Sequence, residues 1–144
     1  MAEKKIFFED VNVEDNMPEF VTEPLSELQF VKYAGASGDF NPLHTVHAFG
    51  EMVGYGGVIG HGMLSMALTG RGLTDWLGHK AIKKFGVNFR AVTLPKDVLT
   101  VKGTVTNKYE KEGRKCIDID VLTENQRGEK VVMGNATADL PSKS

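Results

Sequence analysis

The first hydrophobic period along the chain is helical. In "PLSELQFVKYAGASG", Leu28, Val31 and Ala34 recur at helical spacing, and glycines at 35 and 38 end the segment. Ser26 stands at an N-cap with Gln29 three residues on, a capping-box pattern. A second helix is predicted from Gly62 to about Leu77, "GMLSMALTGRGLTDWL", apolar on most faces through its first half. A helix apolar nearly all round belongs at the centre of a core. After Gly78 the period becomes two. Phe85, Val87, Phe89 and Ala91 share one side of "KKFGVNFRAV"; in "CIDIDV", Ile117, Ile119 and Val121 oppose Asp118 and Asp120. "VLTVKGTVTNKY" and "KVVMGNATADL" are two further strands, "EKEGRK" and "NQRGEK" are hairpin turns, and "EFVTEPL" is an edge strand. Helices first and a strand meander afterwards predict an α+β domain, a curved antiparallel sheet wrapped on one central helix.

Composition narrows this picture. The 144 residues make one domain (1–144, core about 18–140), with 41% hydrophobic and 25% charged residues. A net charge of −2 and scattered Lys and Arg argue against a nucleic-acid partner. The single Cys116 excludes an internal disulfide and a cysteine-built metal site. Between Glu51 and Arg71 no residue is charged, but glycines and His61 interrupt the apolar run a membrane span needs. "MAEKKIFFEDV" turns acidic before any apolar region develops, so no signal peptide is read and a cytoplasmic location is expected.

The chemistry concentrates in "SGDFNPLHTVHAFGEMVGYGGVIGHGML". Pro42 disfavours helix at Asn41 and lacks an amide hydrogen, so the chain turns between Asp39 and His44. Such a turn can bring a carboxylate and an imidazole to one water, with one group to take its proton and one to hold it. Asn41 can orient either. The same residues are also an ordinary turn-and-cap composition, and on their own they leave both readings open. "GYGGVIGHGML" then runs into the second helix, whose first free amides stabilise negative charge, and glycine at 62 lets a carbonyl approach closely.

"YAGASGDFNPLH" followed by "GHGML" resembles the hydratase-2 motif of the MaoC-like family, the (R)-specific enoyl-thioester hydratases and dehydratases. The resemblance covers roughly Leu25 to Leu140 and is nearest to short single-domain members, including bacterial (3R)-hydroxyacyl dehydratase subunits. It implies a hot-dog fold and a homodimer whose two sheets join, with a heterodimer or higher oligomer as alternatives. It also implies a catalytic dyad at Asp39 and His44 and an oxyanion-hole amide at Gly62. Asn41 and His61 match positions that shape the site, and Ser37 sits where a small polar residue is usual. Some members carry a supporting hydroxyl two turns into the helix; here that position is Gly70, which suggests extra room beside the helix.

The expected reaction is reversible hydration of trans-2-enoyl thioesters of CoA or acyl carrier protein, with no metal or redox cofactor. Its rivals are a thioesterase on the same fold, a dehydratase subunit needing a partner chain, and a metal site from His44, His47 and His61, which lacks a carboxylate at a usual ligand spacing. The remaining candidates read as structural. His47 is a surface residue on a short helix and His79 a loop residue. Phe85, Val87 and Phe89 are core, Asp118 and Asp120 a solvated face, and Trp76 and Met66 core before acyl tunnel. Lys80, Lys83, Lys84 and Arg90 line a solvated strand face before a CoA phosphate site.

Overall fold

A computed structural model describes residues 4–144. Three α-helices, α1 (Glu27–Ser37), α2 (His47–Met52) and α3 (Gly62–Leu77), precede four long strands, β2 (Ile82–Phe89), β3 (Thr100–Lys111), β4 (Arg114–Glu124) and β5 (Lys130–Asp139). A two-residue strand, β1 (Phe20–Val21), completes an antiparallel sheet of order β1-β3-β4-β5-β2. The sheet packs on α3 in the hot-dog arrangement. Its inward row, with Val101, Val105, Ile117, Ile119, Val121, Ala136 and Ala138 all buried, meets Leu73 of α3. A second cluster joins Leu64 and Leu68 of α3 to Phe30 of α1, Leu99 and Val131.

Local sequence explains the ends of these elements. Ser26 Oγ accepts the Gln29 N–H at 3.0 Å and starts α1. Gly38, at φ 78°, stops it in a left-handed conformation that glycine adopts without strain. The helix therefore continues through Gly35, and of the two expected terminators only Gly38 acts. Between β3 and β4 the chain reverses over Glu112 and Gly113, both at positive φ, the geometry that matches strand twist in a tight hairpin.

Four expectations are corrected. Leu28 and Val31 do not form the inward stripe of α1: they are 61% and 53% exposed, while Phe30 and Ala34 are buried. α3 is not surrounded by core. It buries Leu64, Ser65, Leu68, Thr69, Gly72 and Leu73 along one face and leaves Met63 and Ala67 exposed. Strand β2 ends at Phe89, so Ala91 lies outside it and Phe89 itself is half-exposed. No extra room opens beside Gly70, because a Cβ built there would lie 3.3 Å from the Phe85 ring.

The side-chain assignments away from the opening motif divide as follows. Asp120 is exposed, whereas Asp118 is half-buried and accepts from Tyr109 Oη (3.0 Å) and Thr137 Oγ1 (2.8 Å) on the outer sheet face. Trp76 packs against the core from a half-buried position, and Lys80, Lys83, Lys84 and Arg90 are solvent-exposed. The domain's two ends are joined: the Phe8 N–H donates to the Pro141 carbonyl at 2.8 Å, and Ser142 and the Lys143 N–H donate to the Glu9 carboxylate.

The loop between β2 and β3 holds a buried carboxylate. Asp97, 2% exposed, accepts from Arg127 (2.9 Å), the Gln126 amide (3.0 Å) and the Leu94 N–H (3.0 Å). Burial pushes its carboxyl up, but the Arg127, Gln126 and Leu94 hydrogen bonds outweigh burial and hold it below the usual carboxylate range. Because the folded value lies below the unfolded one, its stabilisation is complete above the unfolded value of about 4 and fades as pH falls through the folded value. Asp97→Asn should therefore lower stability at pH 7 by about 2–3 kcal/mol, a penalty that shrinks in urea melts below about pH 4. An equal penalty at pH 7 and pH 3 would show that the charge plays no part.

Candidate active site

The site is assembled from three short backbone devices. Ser37, the last residue of α1, accepts the Asp39 N–H on its Oγ at 3.1 Å. Asp39 Oδ1 accepts the Asn41 N–H at 3.3 Å, and Asn41 Oδ1 in turn accepts the Leu43 N–H at 3.0 Å, capping the 3-10 turn Pro42–His44. This relay of side-chain-to-backbone bonds sets the turn that carries both Asp39 and His44. Ser37 and Asn41 thus act on the backbone, and neither contacts the His44 ring through the hydrogen bonds described.

His44 is buried and its orientation is fixed. Nδ1 donates to the Ile59 carbonyl at 2.8 Å, which leaves the Nε2 lone pair facing Asp39. Asp39 Oδ2 lies 3.8 Å from that nitrogen, with the Asp39 side chain 49% exposed. The separation exceeds a direct hydrogen bond but accommodates one water oxygen at about 2.8 Å from both acceptors. Carboxylate and imidazole are both placed to accept, so such a water donates both of its protons and turns its lone pairs outward.

His61 packs beneath the pair. Its ring stacks on that of His44 with centroids 3.8 Å apart and an interplanar angle of 24°, and Tyr33 and Phe30 close its sides. Nε2 donates to the Asp39 carbonyl at 3.2 Å, while Nδ1 is buried without a partner among the described residues. Desolvation is the main cause holding the His61 ring below the ordinary histidine range, and the neighbouring His44 adds to it.

One residue later α3 begins. Gly62 is its first residue, and Ser65 N–H is the first amide to reach back, to the His61 carbonyl at 3.3 Å, so the amides before it have no intrahelical acceptor. A Cβ at Gly62 would sit 3.4 Å from the Phe89 ring, so a side chain here would fill the approach to the amide. Gly60 is under tighter constraint. Its N–H donates to the Thr93 carbonyl at 2.8 Å, and a Cβ would fall 2.1 Å from Thr93 Oγ1. His44 and the first turn of α3 line one groove of about 380 Å³, walled also by Ile59, Phe89 and Arg90 among others, while the half-exposed Asp39 lies outside that wall.

The metal-binding set considered from the sequence is not assembled. His47 turns away to Glu27 and accepts the Val58 N–H. Instead Asp39, His44 and His61 offer ligand atoms within 4.8 Å of one another. Near-parallel stacked rings, however, aim their in-plane lone pairs alongside each other rather than at one point, which suits a tetrahedral ion poorly.

The MaoC like domain family model matches residues 10–126. The chain belongs to the MaoC-like dehydratase family. Within it, the chain is 33% identical over 130 residues to the fatty acid synthase subunit beta of Schizosaccharomyces pombe, covering 86% of this chain but 6% of that subunit. A probable dehydratase of Ajellomyces capsulatus, NIT22, shares 34% identity over 68 residues, 45% of this chain and 18% of that one. Among solved MaoC-like folds, the R-hydratase PhaJ1 from Pseudomonas aeruginosa superposes with a TM-score of 0.85 at 27% identity, covering 96% and 88% of the two chains. A MaoC-like dehydratase from Rhodospirillum rubrum gives 0.82 at 25% identity, covering 96% and 99%.

Several MaoC-like site features were invisible in sequence order. The Ile59 carbonyl that orients His44, the Thr93 contact that requires Gly60, and Phe89 over Gly62 all come from segments far apart along the chain. The one available signal was the pairing of Phe30, Tyr33, Ala34 and Ser37 at i, i+3, i+4 and i+7, the stripe of α1 that faces inward or towards the site.

Proposed function

We propose that this chain reversibly hydrates trans-2-enoyl thioesters to (3R)-3-hydroxyacyl thioesters. The observation that carries the reading is the 3.8 Å approach of Asp39 Oδ2 to His44 Nε2, with His44 on the wall of the groove that the start of α3 also lines. In the hydration direction the dyad binds one water. Its oxygen adds to C3 as one O–H proton passes to Asp39, with His44 accepting the second O–H in a hydrogen bond. The electron pair of the C2–C3 double bond moves onto the thioester as an enolate. The Gly62 N–H donates to that oxygen, and the proton held by the dyad is then delivered to C2. Preorganised donors and a fixed water supply most of the barrier reduction. No step calls on a redox change.

Membership of the family together with the match to a fatty acid synthase subunit supports an acyl thioester as substrate, carried on CoA or on acyl carrier protein. β2 ends the sheet with its outer edge unpaired among the described residues. Phe40, Met52, Val53, Tyr55, Met63 and Phe89 are exposed, Phe89 on the groove wall. An open strand edge beside exposed apolar side chains supports association of two copies through joined sheets, with the acyl chain or the second copy covering these residues. Among the described residues no helix is long and apolar enough to cross a membrane, and the reading places the reaction in the cytoplasm.

The test is turnover of crotonyl-CoA and longer trans-2-enoyl-CoAs, followed by loss of the conjugated-thioester absorbance, with the product's configuration at C3 determined. Loss of absorbance with an R product is expected. Release of free thiol from saturated acyl-CoA, with no hydration, would replace the proposal by a thioesterase.

A further inference from the structure

We infer that His61 is the positioning residue of the dyad: its ring is the floor on which His44 rests and the donor that holds the backbone of Asp39. This inference rests on the proposed reaction. Three observations carry it. His61 is 1% exposed and is not needed to fill space with a polar group, since Phe30, Tyr33 and the His44 ring surround it. The one hydrogen bond of its ring among the described residues goes to the Asp39 carbonyl, across 22 residues of chain. Its other nitrogen is buried and unpartnered among the described residues. A buried polar atom without a partner destabilises a fold relative to an apolar replacement of similar shape. A phenylalanine would therefore pack here at less cost, and the histidine is explained by what it holds.

The geometry shows how the hold works. Asp39 follows the left-handed Gly38 and is half-exposed, so its carboxylate direction depends on its own backbone. The His61 bond fixes the carbonyl of that residue, and the stack fixes the plane of His44 about its Ile59 anchor. Both halves of the dyad thus take their position from one ring. That ring does its work neutral: desolvation beneath the His44 ring, whose centroid is 3.8 Å away, outweighs the attraction of the nearby Asp39 and holds off a second proton. The His61 ring is 1% exposed and its contacts run to Asp39 and His44, so it acts through those two residues and not on the substrate.

Three substitutions separate its parts. His61→Phe keeps the stack and loses the donor; His61→Gln keeps a donor and loses the stack; His61→Ala loses both. Each of the first two should lower kcat on crotonyl-CoA about 10-fold and the third about 10²-fold, with KM within about twofold. His61→Phe should melt at or above the wild-type temperature. A structural role predicts the opposite pairing, a lower melting temperature with unchanged kcat in the folded fraction, and that result would overturn the inference. Long-range ¹H–¹⁵N spectra of the His44 ring give a readout independent of turnover. The wild type should show a single Nδ1–H form, and His61→Ala and His61→Gln a mixture of tautomers. If the wild type fails to hydrate enoyl thioesters, the proposed function falls while these spectra still decide the role of His61. An unchanged His44 signal in both variants would rule that role out.

Discussion

Asp39→Asn should turn over crotonyl-CoA about 10³-fold more slowly than the wild type, a barrier increase of about 4 kcal/mol. The substitution is close to isosteric, and the amide oxygen can still accept the Asn41 N–H, so the turn survives. What disappears is the negative charge that takes the water's proton; an amide also presents N–H donors where the water needs an acceptor. KM should stay within a few-fold, because the groove wall comes from His44, Ile59, Gly60, the start of α3 and residues 89–93, and not from Asp39. Stability should move by less than about 0.5 kcal/mol, since the side chain is half-exposed and makes one hydrogen bond. Pre-steady-state and steady-state absorbance traces would check this, and a wild-type rate would remove Asp39 from the mechanism.

The second large effect is expected at His44. Asparagine is the informative replacement, because its amide nitrogen can stand where Nδ1 stands and donate to the Ile59 carbonyl, while nothing replaces Nε2. kcat should fall by 10²–10⁴-fold, on the order of what a positioned proton acceptor contributes. Unlike the change at Asp39, this one should also cost about 1–3 kcal/mol in stability, because it deletes ring volume from a buried stack on His61. Rates must accordingly be read well below the melting transition. Asp39→Asn combined with His44→Asn should be little slower than the worse single variant, since both groups act on one water and neither works alone. Multiplying losses would mean that the two residues serve separate steps.

How much of this was readable along the chain depended on distance. The limits of α3 were legible because Gly62 and Gly78 bracket a proline-free segment whose first half is apolar, and both hairpins were legible because glycine sits where positive φ is required. The inward face of α1 was misread because two stripes compete there. Leu28 and Val31 are the more hydrophobic pair, yet Phe30 and Ala34 face the sheet, and burial is decided by where the preceding loop places the helix. Phe89 alternates correctly with Phe85 and Val87 and still pairs with Val132, but at the strand's last position its ring stands over Gly62 on the groove wall and not under the body of α3. For the site, Asp39 and His44 could be paired because they stand only five positions apart across a turn. The stack of His44 on His61 joins residues separated by a glycine-rich excursion through α2, and no local period records that meeting.

The bond between Phe8 and Pro141 has a topological consequence. A polypeptide can enter and leave this unit at almost the same point, so embedding it in a larger machine needs no rearrangement of the curved sheet or of the groove beside His44. The S. pombe synthase subunit carries its matching stretch as 6% of a far longer chain, a placement that neighbouring gateposts make easy.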